Sequence, residues 1–163
     1  MSVADHPPIV ETRRWRSEDD TAAFARRLAA SAALRDAFIV LRGDLGAGKT
    51  TFVRHLLHAL GIAGRIKSPT YAVVEPHETP DGREVFHFDF YRFSDPREWD
   101  DAGFRDIFAG AGLKLAEWPD NAGAHLPTAD LAIEIEAMTD DTRTVTLHAR
   151  TPRGRQLLEA VAA

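Results

Sequence analysis

No cysteine occurs in the 163-residue chain, so disulfides, thiolate nucleophiles and cysteine-ligated zinc are excluded together. Long apolar runs are missing as well: none approaches the roughly 20 residues that a membrane-spanning helix needs. The opening residues, MSVADHPPIVETRRW, lack the basic-then-apolar order of an export signal. Nor is there an excess of basic charge, since 20 Lys and Arg face 25 Asp and Glu, for a formal charge of −5. Domains that grip a nucleic-acid backbone with their own surface are usually strongly basic, which argues against that role here. What remains is 44% hydrophobic and 28% charged, the mix of a folded domain of ordinary size. The expectation is one soluble cytoplasmic domain over residues 1–163, with no membrane association.

The pattern along the chain reads as alternating strands and helices. Residues 1–10, with Pro7 and Pro8, read as a loose lead-in, followed by a strand over Glu11 to Arg16. Ser17 stands at an N-cap position with Asp20 three residues on, and Glu18 and Asp19 occupy the first turn, where the helix dipole favours acids. Thr21, Phe24, Leu28 and Ala32 recur at helical spacing, which predicts a helix to Leu34. Ala37 to Leu41 is wholly apolar and suits a strand buried on both faces. A helix with the stripe Val53, Leu56, Leu57 and Leu60 follows and ends at Gly61. Tyr71 to Glu75 and Val85 to Tyr91 read as strands flanking the turn signal Pro80-Asp81-Gly82. In the second of them Phe86, Phe88 and Phe90 share one face, and Val85, His87, Asp89 and Tyr91 the other. One or two short helices are expected over 96–109, a strand over Leu113 to Glu117, a hairpin carrying Leu131, Ile133, Ile135, Val145 and Leu147, and a closing helix from Pro152. With no repeat or linker, the predicted class is α/β, a mixed sheet flanked by helices.

Between the Ala37–Leu41 strand and the next helix lies Gly43-Asp44-Leu45-Gly46-Ala47-Gly48-Lys49-Thr50-Thr51. Gly43, Gly48, Lys49 and Thr50 match the phosphate-binding pattern Gly-x-x-x-x-Gly-Lys-Ser/Thr. Glycines let the backbone wrap a diphosphate, successive amides point inward, and the following helix presents its positive end. Lys49 is expected at the β- and γ-phosphates of ATP, and the Thr50 hydroxyl at Mg2+. An ordinary glycine turn before a helix is the bland alternative, but the strand-loop-helix order also fits. Guanine readers carry an Asn-Lys-x-Asp loop and no Asn-Lys occurs here, so ATP is favoured over GTP. Asp100-Asp101-Ala102-Gly103 fits Asp-x-x-Gly, but it follows a polar stretch and reads better as an acidic helix. A strand-end acid near the magnesium is expected, with Asp89 the first candidate and Glu117 the second.

Taken in order, GDLGAGKTTFVRHLLHALG, KSPTYAVVEPHE, HFDFYRFSDPREW and AEWPD resemble the TsaE family. These are small bacterial ATPases required to make threonylcarbamoyladenosine beside the anticodon of tRNA. The resemblance runs from about Ser17 to Leu158, with Phe90 standing where the family often has Leu and a variable loop at 77–83. It implies a P-loop NTPase-like fold and an ATPase that is weak without its partners TsaB and TsaD, with tRNA involved only through that pair. It further implies that Thr70, in Ser68-Pro69-Thr70, belongs to a switch-like segment facing the γ-phosphate or metal. By the same resemblance Asp89 is the Walker-B-like acid, Glu117 a magnesium ligand or water-orienting group, and Trp118 a nucleotide-proximal residue. Residues Glu18 to Thr21 are placed near the nucleoside by analogy.

Other signals have competing readings. Arg13, Arg14, Arg16, Arg26 and Arg27 form either a solvated basic face or a docking patch. His55 and His58 lack a third ligand and read as surface residues. Trp99, Phe104, Ile107 and Phe108 are either packing or an apolar partner-binding edge. Alternatives for the whole chain are a small-molecule kinase, against which the lack of an arginine-rich lid counts, and a nucleotide-gated binding module with negligible turnover. Pro69 disfavours helical backbone at Ser68, which suggests an extended connection leading to Thr70; the competing reading is a rigid loop in which Thr70 merely caps a turn.

Overall fold

The computed structural model describes residues 8–64, 66, 73–94, 99 and 103–162. Along the chain come β1 (Ile9–Trp15), α1 (Glu18–Ala29), β2 (Phe38–Arg42), α2 (Lys49–Ala59), β3 (Val74–Glu78), β4 (Glu84–Asp89), α3 (Phe104–Ala109), β5 (Leu113–Glu117), β6 (Leu131–Ala137), β7 (Arg143–Ala149) and α4 (Pro152–Ala160). Among the described residues the strands form one sheet in the order β1-β7-β6-β2-β5-β4-β3. Its middle, β6-β2-β5-β4, is parallel, while β7, β1 and β3 join antiparallel. The sheet is therefore mixed, as the alternation of helices with hairpin signals predicts.

β2 is apolar throughout because it is covered on both faces. Ile39 and Leu41 enter a core with Phe24 and Leu28 of α1, Phe52, Leu56 and Leu57 of α2, and Leu157 and Leu158 of α4. Phe38 and Val40 enter a second core with Phe88, Phe90, Trp99 and Phe104. Trp99, Phe104, Ile107 and Phe108 thus pack under the sheet: the Phe88 and Phe108 rings stack at 4.8 Å, and those of Trp99 and Phe108 at 5.5 Å. On the first face Trp15, Phe24 and Phe52 meet with ring centroids 5.2–5.9 Å apart. That aromatic knot joins β1 to α1 and α2 and fixes the wall of the cleft described below.

Several boundaries differ from expectation, each for a local reason. β1 starts at Ile9 and not Glu11, because the whole of Ile9–Trp15 pairs with Arg143–Ala149. α1 stops at Ala29, since the Ser31 side chain accepts from Ala33 N–H and starts a separate 3-10 turn over Ala32–Leu34. Ser17 is the N-cap but makes no side-chain cap bond; Asp20 reaches back to Arg16 N–H at 2.8 Å instead. β3 runs Val74–Glu78, with Pro76 tolerated because the strand is at the sheet edge. The expected start of that strand, Tyr71, lies outside the described residues. β4 ends at Asp89 and not Tyr91, where the Asp89 carboxylate accepts from Tyr91 N–H at 3.0 Å and turns the chain. β5 has the expected bounds, and α4 starts at Pro152 with Thr151 accepting from Gly154 N–H.

Phe52 is fully buried at the centre of the aromatic knot. Truncating a buried Phe leaves a cavity that surrounding side chains fill only in part. Phe52→Ala is expected to lower the unfolding free energy by about 3–5 kcal/mol, which urea unfolding will measure.

Candidate functional site

The parallel strands set the site. β2 and β4 both pair with β5, and the registers place Leu41 and Asp89 on either side of Glu117. The loop after β2 and the two strand-end acids therefore share the carboxyl edge of the sheet, where open α/β sheets bind ligands. Alternation along the strands sends Leu113, Leu115 and Glu117 to one face, and Val85, His87 and Asp89 to the same face. That face is the one α2 covers, and α2 begins at Lys49.

The loop itself depends on glycine at two points. Gly43 has φ 154°, and a Cβ there would lie 2.5 Å from the carbonyl oxygen of Ile135 in β6. Gly48 has φ 115° and is the N-cap of α2. Past it, the first amides of α2 have no intrahelical partner and give the helix end its positive character. Leu45 to Thr51 line a cleft of about 470 Å³ together with Trp15, Ser17, Glu18, Thr21, Asp89, Tyr91, Glu117, Trp118, Asp141 and Arg143. Gly43 and Asp44 line a neighbouring depression beside β6 and β7 and offer their carbonyls to Lys49.

Inside the cleft the polar groups interlock. Glu117, 2% exposed, accepts from the Thr50 hydroxyl at 3.1 Å through Oε1, and its Oε2 lies 2.6 Å from His87 Nε2. Burial pushes the Asp89 carboxyl above its ordinary range; the Tyr91 N–H opposes this, and the neighbouring charge of Glu117 adds to it. The Lys49 ammonium donates to the carbonyls of Gly43 and, at 3.1 Å, of Asp44, and lies 4.2 Å over the Trp118 ring. Burial depresses its pKa, with the acids Glu117, Asp89 and Asp44 pulling the other way. Trp118 has φ 55°, unusual for a bulky side chain, where the strand-end acid gives way to Pro119. Pro119 disfavours right-handed helical backbone at Trp118. Its ring rests against Tyr91 with centroids 5.0 Å apart. The donors gathered here are hydroxyl and carboxylate oxygens, which suit a hard divalent cation such as Mg2+.

Of the residues singled out in the sequence, Leu45, Gly46, Ala47, Gly48, Lys49, Thr50, Thr51, Asp89, Glu117 and Trp118 share this one cleft, and Ser17, Glu18 and Thr21 form its far wall. Thr70, with Ser68 and Pro69, lies outside the described residues, as do Asp100, Asp101 and Ala102. Sequence reasoning passed over Arg143, whose Nε donates to the Ala47 carbonyl at 2.8 Å and braces the loop. No motif marks it. Only the adjacency of β6 to β2 reveals that the β6–β7 turn flanks the loop. Tyr91 and Trp15 were likewise visible as aromatics but not as cleft residues. Arg13 pairs with Glu11 and Arg14 with Asp140. His55 lies 2.9 Å from Glu18, and His58 3.0 Å from the Gly64 carbonyl.

This arrangement can be compared with known proteins. The family profile "Threonylcarbamoyl adenosine biosynthesis protein TsaE" matches residues 15–145. The chain belongs to the TsaE family. Among its relatives, the TsaE of Haemophilus influenzae is 41% identical over 122 residues, 75% of this chain and 76% of that one. The TsaE of Bacillus subtilis is 37% identical over 149 residues, covering 90% of this chain and 91% of the relative. Both are named tRNA threonylcarbamoyladenosine biosynthesis proteins. The crystal structure of Bacillus subtilis YdiB superimposes with a TM-score of 0.75 at 29% identity over 97% of each chain. As a member of the TsaE family, this is a tRNA threonylcarbamoyladenosine biosynthesis protein with a single mixed α/β domain. No helix among the described residues is long and apolar enough to cross a membrane.

The raised Asp89 pKa has a consequence for the metal-free TsaE fold. A carboxyl whose folded pKa exceeds its unfolded value of 3.8 favours folding when protonated. Its penalty is therefore absent below the unfolded value, grows as pH rises through the window to the raised folded value, and is full above it. Asp89→Asn keeps the acceptor for Tyr91 and removes the charge. In EDTA this variant is expected to melt higher than the parent at pH 7, with the difference vanishing below about pH 3.8, a comparison that thermal melts across pH will test.

Proposed function

We propose that this TsaE-family chain is a Mg2+-dependent P-loop ATPase that acts with TsaB and TsaD in forming the threonylcarbamoyl group of tRNA. The observation that carries the reading is the convergence of Lys49, Thr50, Asp89 and Glu117 on one cleft at the amino end of α2. Lys49 sits where its ammonium can leave the Gly43 and Asp44 carbonyls for the β- and γ-phosphates of ATP. The first amides of α2, Lys49 to Thr51, have no intrahelical partner and are disposed to cradle the same phosphates. Trp15, Ser17, Glu18 and Thr21 supply the wall for the nucleoside.

Mg2+ is usually held by one or two carboxylates plus substrate phosphates, and not by a cage of protein ligands. The described residues match that habit: Thr50, Asp89 and Glu117 offer oxygens, and no cluster of three or more His, Asp or Glu is assembled as a cage. When bound, the ion would neutralise charge developing on the transferred phosphoryl group. The protein's own share is to set Asp89 and Glu117 side by side at the strand ends, to keep Thr50 oriented through its bond to Glu117, and to line the cleft with the Trp118 and Tyr91 rings. Phosphoryl transfer asks mainly for such positioning and charge stabilisation.

TsaB and TsaD as partners, and tRNA through them, rest on the family resemblance. The acidic net charge of −5 is consistent with a protein that leaves the tRNA backbone to others. A second reading, a nucleotide-gated module with negligible turnover, draws support from Lys49. Its ammonium is occupied by loop carbonyls and the Trp118 ring, so phosphates must displace those contacts before it can act.

Phosphate release with purified TsaB and TsaD present tests the ATPase reading. Lys49→Ala and Thr50→Ala are each expected to lose about 100-fold or more in rate, the usual cost of removing one preorganised group that stabilises the transition state. Parental turnover in Lys49→Ala would contradict it. Glu117→Gln keeps the size of the side chain but loses its charge. It is expected to depress hydrolysis by at least about ten-fold more than it weakens ADP binding, since the metal's charge matters most as the phosphoryl group departs. Comparing equilibrium titration with turnover will separate the two effects.

A further inference from the structure

His87 is fully buried in β4, two residues before Asp89, and takes no direct part in lining the cleft. Its Nε2 lies 2.6 Å from Oε2 of Glu117, and the Thr50 hydroxyl reaches the same carboxylate at 3.1 Å through Oε1 and 3.4 Å through Oε2. The registers explain how the two side chains meet. His87 stands opposite Leu115, and Glu117 lies two residues further along β5 on the same face. Its other nitrogen, Nδ1, is buried and has no hydrogen-bond partner among the described residues.

These contacts favour one position for the ring proton. A proton on Nδ1 would be a buried donor with no acceptor among the described residues, and it would leave a bare Nε2 lone pair facing a carboxylate oxygen. A proton on Nε2 makes a charge-assisted bond to Glu117 and leaves only a weak acceptor unpaired. From this geometry we infer that His87 is a positioning residue: its Nε2–H holds Oε2 and so fixes the plane in which the Glu117 carboxylate meets Thr50 and a divalent cation, a role that rests on the magnesium reading above. A histidine kept only to fill core volume would need no such aim, and an apolar side chain would fill the space without burying two ring nitrogens. Groups that hydrogen-bond a metal-binding carboxylate change metal affinity by about 10–100-fold when removed.

The test compares two amides. Gln carries its amide nitrogen about as far from Cβ as Nε2 and can still donate to Glu117, whereas Asn reaches only as far as Nδ1. Binding of a fluorescent ADP analogue to the full-length protein is titrated at a series of Mg2+ concentrations, with each variant referred to its own affinity in EDTA. The inference predicts that His87→Gln stays near the parental half-saturating Mg2+ while His87→Asn needs about ten-fold more. Parental Mg2+ demand in His87→Asn would overturn it, and so would an equal loss in both variants. A parent whose ADP affinity ignores Mg2+ fails before any variant is made and overturns the magnesium reading itself. Nitrogen-15 spectra of the imidazole in the parent provide a check that needs no variant to fold. A protonated Nε2 is expected, and a ring carrying its proton on Nδ1 alone would overturn the inference.

Discussion

A carboxylate as buried as that of Glu117 persists only when its oxygens are hydrogen-bonded, because moving a charge out of water is costly unless polar partners replace the water. Here one partner comes from β4 and the other from the first turn of α2. The single group therefore couples the sheet to the helix that follows the glycine loop. Remove it, and both the register of β4 against β5 and the orientation of Thr50 lose a common anchor. The rest of the cleft is arranged around that anchor: Asp89 beside it in the sheet, Lys49 one residue before Thr50, and Trp118 immediately after Glu117.

The electrostatics of the cleft are unbalanced in a way that suits a ligand bearing both signs. Asp89 is pushed up by burial and Lys49 is pushed down by it. Both groups pay for partial desolvation, and a metal-bound polyphosphate would relieve both, since a cation favours the carboxylate and the phosphates favour the ammonium. Until then Lys49 is held by loop carbonyls and by the Trp118 face.

Much of this was legible in the residues. The apolar run of β2 announced a buried strand, and the Leu113–Glu117 strand, read as ending at Trp118-Pro119, has the expected bounds. The glycine loop announced itself through its spacing. What stayed hidden depended on pairing between distant segments. Pro76 obscured β3 because only an edge position lets a strand accept proline, and edge position is a property of the whole sheet. Arg143 could not be linked to Ala47 before β6 was known to lie beside β2, and His87 could be assigned a face but not a partner until β4 was registered against β5. Local chemistry is readable one segment at a time, whereas contacts across the sheet are not.

The central claim is that Thr50, Asp89 and Glu117 form one metal-binding edge of a nucleotide cleft. Its most direct measurement is a crystal structure with a non-hydrolysable ATP analogue and Mn2+ in place of Mg2+, located by anomalous scattering. The account predicts an ion in direct contact with the Thr50 hydroxyl, facing Glu117 and Asp89, with the phosphates over the amino end of α2. An ion or nucleotide bound away from Thr50 and the two acids would contradict it.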